Sequence, residues 1–289
     1  MKYKGIIYIL LSSLAYAVVN FCVKYLDDIP THEIVFFRSV ISLSICFVWI
    51  KKLGIPFLGN NKKWLTIRGI AGMSALFLFF VTIKNMPLAS ATTIQYISPI
   101  FTVLLATQLQ REKVRPIQWL LFALAFGGVL LIKGFDDRIS YFYLGLGIFS
   151  AMISGIAYNA IMKCRTTDHP VTVVLYFPLI ATPVMGTACL TAGWVTPHGS
   201  QWAILLVIGI FTQIAQIYMT KALHADHSSV VMPFKYFGVI YALGIGFIFF
   251  GETLPWLSIF GILVVISSVI INTMVKNPNK KVPGTSGVI

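Results

Sequence analysis

Residues 20–37 read NFCVKYLDDIPTHEIVFF, and residues 159–177 read NAIMKCRTTDHPVTVVLYF. Laid over one another, they pair Asn20 with Asn159 and Lys24 with Lys163 at a spacing of 139 residues. After a one-residue step they pair Pro30 with Pro170 and Phe37 with Phe177 at 140. Carried outward at that spacing, the register also matches Gly69 with Gly209, Tyr96 with Tyr236 and Glu112 with Glu252. Each half carries five apolar spans. An odd number of spans makes the second copy enter the bilayer from the opposite side. Inverted repeats of this kind build a site near the membrane midplane and expose it alternately to either side. The repeat therefore implies a carrier before any single residue is interpreted.

Composition agrees. Of the 289 residues, 57% are hydrophobic and 11% charged, against about 25% charged in a soluble domain. Apolar spans are expected at 5–26, 33–50, 64–83, 88–109, 117–134, 142–162, 171–192, 202–220, 229–250 and 256–275, each long enough for a ~30 Å hydrocarbon core. The expected fold is an all-α membrane protein of ten transmembrane helices. Residues 1–139 form a first five-helix repeat, residues 140–276 a second, inverted one, and residues 277–289 a disordered tail with prolines and glycines.

The formal net charge of +13 would suit a nucleic-acid partner, but its distribution excludes one. With the N-terminus inside, sixteen basic residues fall in inner segments, among them Lys62, Lys63, Arg68, Arg115, Lys163 and Lys221. Only Lys24, Lys84, Lys133 and Arg138 fall outside. This positive-inside bias puts both termini in the cytoplasm. The six tryptophans lie near span ends, as interfacial rings do. Lys2 and Lys4 followed by an apolar run and Ala15-Tyr16-Ala17 resemble a signal peptide with a cleavage site. The run continues to Leu26, and cleavage would remove the partner of the sixth span, so a retained first helix is expected.

The two basic residues that remain, Lys235 and Arg38, lie deep inside spans. Lys235 lies about seven residues into the ninth, in Pro233-Phe234-Lys235-Tyr236. A cation at mid-helix costs about 2.5–3.5 kcal/mol on the insertion scale, so it should face the bundle interior or water. It either pairs with an anionic substrate group or snorkels to the inner interface. Arg38 cannot be neutralised; it either pairs structurally, with Glu252 as one candidate, or contacts substrate. Tyr96 and Tyr236 sit at equivalent depths beside Gln95 and Lys235, and Asn20 and Asn159 form a second symmetric pair. Ring stacking and amide hydrogen bonds suit a polar organic solute, and interhelical glue competes as an explanation. Gln213 and Gln216, three residues apart, share a helix face and are pore-lining candidates with Thr92, Thr93 and Ser98. Pro99 is expected to interrupt the fourth span and Pro178 and Pro183 the seventh, while Pro233 opens the ninth; each removes a backbone hydrogen bond, giving a static kink or a hinge.

Chemistry beyond binding finds no support. Cys22, Cys46, Cys164 and Cys189 are isolated and suggest neither a redox pair nor a zinc site. His224, Asp226 and His227 lack a third strong metal ligand. There is no H-E-x-x-H, G-x-S-x-G or P-loop. No enzyme, cofactor or metal is expected.

Two further stretches carry a resemblance. Lys84-Asn85-Met86-Pro87-Leu88-Ala89-Ser90-Ala91-Thr92 runs into Ser98-Pro99, and Lys221-Ala222-Leu223 precedes Ser228-Ser229-Val230-Val231-Met232-Pro233-Phe234-Lys235-Tyr236. With Gly251-Glu252 closing the second half, the chain resembles the drug/metabolite transporter superfamily, specifically its EamA group. Arg111-Glu112 departs from the glycine–glutamate pattern in the first half. Glu33-Ile34-Val35-Phe36-Phe37-Arg38 and Pro233-Phe234-Lys235-Tyr236 are similar to segments of bacterial carriers for amino-acid and cofactor-like metabolites, such as S-adenosylmethionine or riboflavin. The resemblance implies a central cavity lined by both halves.

The sequence thus leads to a multi-pass carrier of a bacterial inner membrane for a small organic metabolite, one bearing a carboxylate. Lys235, Tyr236, Tyr96, Gln95, Asn159, Asn20, Arg38, Gln213 and Gln216 are its candidate site residues. No acidic residue lies mid-span, so only weak proton coupling is expected. Two alternatives stay open: a phosphate-bearing or nucleotide-sugar antiporter of the same superfamily, and a non-transporting sensor or scaffold.

Overall fold

A computed structural model describes residues 4–110, 115–134, 136–225 and 234–275. Among them there is no strand. The helices are α1 (Lys4–Tyr25), α2 (Thr31–Leu53), α3 (Lys62–Asn85), α4 (Leu88–Gln95), α5 (Ser98–Gln110), α6 (Pro116–Gly134), α7 (Tyr141–Cys164), α8 (Pro170–Thr191), α9 (Ser200–Ala225), α10 (Phe237–Phe250) and α11 (Trp256–Met274). Six of these (α1, α2, α3, α7, α8 and α9) are long and apolar enough to cross a membrane, and shorter apolar helices cover 116–132, 237–250 and 256–272. The stretch 277–289, Glu112, Asp226, His227 and Pro233 lie outside the described residues, as does the side chain of His224.

The expected fourth span is two helices. Pro99 lacks an N–H, and its ring crowds the carbonyl four residues back, that of Gln95. Helix α4 ends at that residue and α5 starts at Ser98, with Tyr96 and Ile97 between. The second half breaks at the matching place, since residues 234–235 are helical, Tyr236 is a turn and α10 follows. Pro178 and Pro183 behave differently from the expectation. Helix α8 runs unbroken through both, because each proline removes only one ladder bond and neighbouring helices hold the segment. The first apolar run is one helix through Ala15, Tyr16 and Ala17.

Packing follows a consistent exchange rule. Helix α1 packs on α9, as α3 does on α7; α2 packs on α9, as α8 does on α3. The pairs α2–α8 and α6–α11 map onto themselves, and α10 packs on α1 as α5 does on α7. Glycines set several of these distances. A Cβ on Gly69 of α3 would fall 2.5 Å from the Tyr176 carbonyl oxygen on α8, and one on its counterpart Gly209 would fall 2.6 Å from Ile41 on α2. In membranes, small residues let helix backbones approach where lipid supplies no hydrophobic drive. Large apolar side chains such as Leu130, Phe247 and Trp256 cover the outside, as expected for a lipid-facing surface.

Candidate solute-binding cavity

A cavity opens among α1, α3, α4, α7, α9 and the 234–236 segment. Tyr16, Asn20, Arg68, Gln95, Tyr96, Tyr158, Gln216 and Lys235 supply its polar wall, with Thr92 and Ser154. Leu76, Phe79, Phe80, Ala157 and Met219 supply apolar surface. A pocket of this make-up, mostly apolar with a few convergent polar groups, suits a small organic ligand.

Lys235 is 7% exposed. Its Nζ donates to Tyr158 Oη at 2.7 Å, and lies 4.8 Å from the Tyr158 ring centroid and 5.4 Å from that of Tyr96. Aromatic faces attract a cation through their quadrupole but leave its charge uncancelled. The ammonium therefore points to the cavity aromatics. Gln95 is fixed from both ends, its Nε2 donating to Ser154 Oγ at 2.7 Å and its Oε1 lying 2.9 Å from the Ser150 hydroxyl that donates to it.

Arg68 is the main residue that sequence reasoning misplaced. Counted as an inner-flank cation, it is instead 3% exposed in α3 and lines the cavity. Its Nη2 donates to Gln216 Oε1 at 2.8 Å, while Nε has no partner among the described residues. Gly72, one turn along α3, makes room for it, since a Cβ there would overlap Arg68 Nη1. The signal was in the repeat. Gly69 matches Gly209, so Arg68 matches Ile208, and a charge opposite isoleucine calls for a local reason. Tyr16 and Tyr158 were also passed over. Tyr16 was hidden inside the apparent cleavage site, and Tyr158 adjoins Asn159.

The remaining candidates divide. Asn20, Gln95, Tyr96, Gln216 and Lys235 are on the wall. Tyr236 lies behind Tyr96, with ring centroids 5.3 Å apart. Asn159 ties α7 to α5, its Nδ2 donating to Thr102 O at 3.0 Å and Gly155 O at 2.9 Å. Gln213 donates to Cys46 Sγ at 3.0 Å. Arg38 stands off the wall, its guanidinium carbon 4.4 Å from the Phe177 ring centroid. Pairing of Arg38 with Glu252 is overturned. Glu252 instead meets Lys24 at 2.5 Å and accepts from the Leu88 backbone N–H at 2.8 Å, because the end of α10 closes over the start of α4 while Arg38 points into α8.

No carboxylate lines this cavity among the described residues; its charges are Lys235 and Arg68. Among the described residues there is also no cluster of three or more His, Cys, Asp or Glu able to hold a metal.

The model of the EamA-like transporter family matches residues 3–134 and again 141–274. The chain is 28% identical to the pseudopaline exporter CntI of Pseudomonas aeruginosa strain UCBPP-PA14, over 92% of this chain and 94% of that protein. It is 25% identical to the riboflavin transporter of Rhizobium johnstonii, over 86% of this chain and 83% of the relative. It is 21% identical to the S-adenosylmethionine uptake transporter of Rickettsia prowazekii, over 91% and 90%. A bundle of apolar helices around a polar cavity, matched twice along its length by one family of membrane carriers, belongs to the EamA-like transporter family.

Proposed function

We propose that this protein is a secondary transporter of a bacterial inner membrane, moving a small organic metabolite with a carboxylate by alternating access. Its halves, residues 1–139 and 140–276, act as inverted five-span repeats with both termini cytoplasmic. The exchange rule in the helix packing and the matched breaks at Tyr96 and Tyr236 support that reading. Non-helical backbone at membrane depth is tolerated where it faces a cavity, and such broken helices commonly flank transporter sites.

One observation carries the choice of substrate. The cavity holds two cations, Lys235 and Arg68, and no described carboxylate to cancel them. A buried charge without a partner costs several kcal/mol, and an anionic group of the solute removes that cost. Lys235 holds the carboxylate, Tyr96 and Tyr158 stack on its planar part, and Asn20, Gln95 and Gln216 supply hydrogen bonds. Tyr236, Asn159 and Gln213 position these from behind. With no carboxylate to carry a proton on the cavity wall, coupling to the pH gradient is weak.

A second reading gains from Arg68. A phosphate-bearing solute or nucleotide sugar needs a second cation at the cavity, and Arg68 supplies one on the wall where Arg38 does not. Relatives named as exporter and as uptake transporter both match along the chain, so direction has to be measured.

The test compares metabolites inside and outside cells expressing wild type or Lys235→Ala at matched membrane abundance, by mass spectrometry. Redistribution of one acid by the wild type, reduced at least about tenfold in the variant, is expected. Equal redistribution by both removes Lys235 from the route. Redistribution by neither favours the sensor or scaffold reading.

A further inference from the structure

Arg38 and Arg68 present an unsolved electrostatic problem. Both are almost fully buried, at 1% and 3% exposure. Both lie over one aromatic ring, their guanidinium carbons 4.4 and 5.9 Å from the Phe177 centroid. Among the described residues, Arg38 Nε and Nη1 and Arg68 Nε have no hydrogen-bond partner. Ser42, one turn along α2 on the same face as Arg38, also has an unpartnered hydroxyl. The ion pairs among the described residues are Lys24–Glu252 and Arg138–Asp136, so neither arginine has a described carboxylate within reach. Glu33, the described acid nearest to Arg38 in the chain, accepts from the Val195 N–H at 2.6 Å.

Buried charges are normally paired, and buried donors are normally bonded. Two like charges sharing a ring violate both rules together. A guanidinium fork is shaped for a carboxylate or phosphate. Arg68 reaches the cavity wall, so a bound group there is continuous with the Lys235–Tyr158 end.

We propose that Arg38, Arg68 and Phe177 form a second oxyanion subsite, and that the transported solute carries two separated acid groups, one held there and one at Lys235. This rests on the carrier reading above and narrows its substrate class. Phe177 supplies a flat, weakly attractive platform between the two guanidinium groups. Gly72 is required because a side chain at that position would close the gap where Arg68 and Phe177 meet.

The test is isothermal titration of the full chain in nanodiscs with glutarate, adipate and 3-phosphoglycerate, against the monoamides of the first two and glycerate. In wild type the two-acid compounds are expected to bind roughly tenfold tighter than their one-acid counterparts. Arg38→Gln brings that ratio close to one, and Arg38→Lys, which keeps the charge but loses the fork, restores part of it. Lys235→Gln weakens both classes. Preference for 3-phosphoglycerate assigns phosphate to the second subsite, and preference for the dicarboxylates assigns carboxylate; either supports it. A ratio unaffected by Arg38→Gln overturns the subsite and leaves the carboxylate carrier standing. No binding of any acid to wild type removes the carboxylate-substrate reading and the subsite together. Ligand-free melting separates a structural role. Deleting an uncompensated charge leaves Arg38→Gln at least as stable as wild type, and a fall of several degrees would make Arg38 a structural residue and sink the proposal.

Discussion

Tyr96 and Tyr236, 140 residues apart in the chain, meet edge to face with ring centroids 5.3 Å apart and planes at 86°. The Tyr236 hydroxyl donates to the Tyr96 carbonyl at 3.4 Å. Each tyrosine stands where the fourth helix of its half is interrupted. The two breaks thus lock one another, and the freed Tyr96 carbonyl finds a donor from the other half. An edge-to-face pair adds about 0.5–1.5 kcal/mol beyond its burial, a modest amount that still lets the contact exchange during a conformational cycle.

This arrangement depends on Gly238, since a Cβ there would overlap the Tyr96 hydroxyl. Gly238→Ala must displace a ring already held between Tyr236 and the cavity. Overpacking of this kind costs about 1–3 kcal/mol, and transport should fall with it. Gly244→Ala, on the same helix with nothing within 4 Å of the added carbon, is the control and should be neutral or stabilising. Thermal melting of the two purified variants checks the contrast, and equal melting temperatures would refute it.

At the other end of α10, Glu252 joins three elements. It pairs with Lys24 of α1 at 2.5 Å and accepts from the first N–H of α4, and Lys24 also donates to Met86 O at 2.7 Å. A carboxylate at a helix N-terminus is favoured by the unsatisfied N–H groups there. Breaking a mostly buried pair by removing one partner costs about 3–5 kcal/mol, less where water reaches it. Glu252→Gln should therefore destabilise by about 2–3 kcal/mol. In a cycle with Lys24→Met the double variant should lose clearly less than the two singles together. Additive losses would mean the pair contributes nothing of its own.

The crossing of α6 on α11 is close from both sides. A Cβ on Gly128 would lie 2.8 Å from the Gly261 carbonyl oxygen, and one on Gly261 would lie 2.7 Å from that of Gly128. Alanine at either place must push the helices apart, at about 1–3 kcal/mol. Gly127, the preceding residue, has open space around it, and alanine there should gain up to about 1 kcal/mol of helix propensity. Opposite signs for adjacent glycines are expected in thermal melts; the same sign for both would argue that the crossing is loose.

The all-helical, apolar character of the fold was legible because apolar spans are a property of the chain itself. The break at Pro99 followed from one missing N–H. The site was only partly legible. Lys235, Tyr96 and Gln95 were visible because a polar residue deep in a span has few explanations. Arg68 was not, because its distance from the span end allows either snorkelling or burial, and only the packing of α3 against α8 and α9 decides. The error over Glu252 has the same origin. Its depth was readable, but which of Arg38 and Lys24 it meets depends on helix rotation, which periodicity does not fix when most faces are apolar.

A last prediction concerns pH at the start of α8. His169 caps this helix, its Nδ1 accepting from the Val171 N–H at 3.3 Å. Burial, and then the nearby Lys221 charge, lower its pKa below the ordinary histidine value. The folded state thus favours the neutral ring, which alone can accept that hydrogen bond, and the unfolded chain takes up the proton more readily. Since the unfolded state binds more protons, stability rises with pH through this window. The contribution is full above the ordinary pKa of about 6.5 and is lost as pH falls through the lowered value. Wild type should therefore melt at a lower temperature at pH 5 than at pH 7.5. His169→Asn keeps a side-chain acceptor at the cap but has no proton to gain, so its melting temperature should fall less over the same range. Equal falls in the two proteins would assign the pH dependence to other groups.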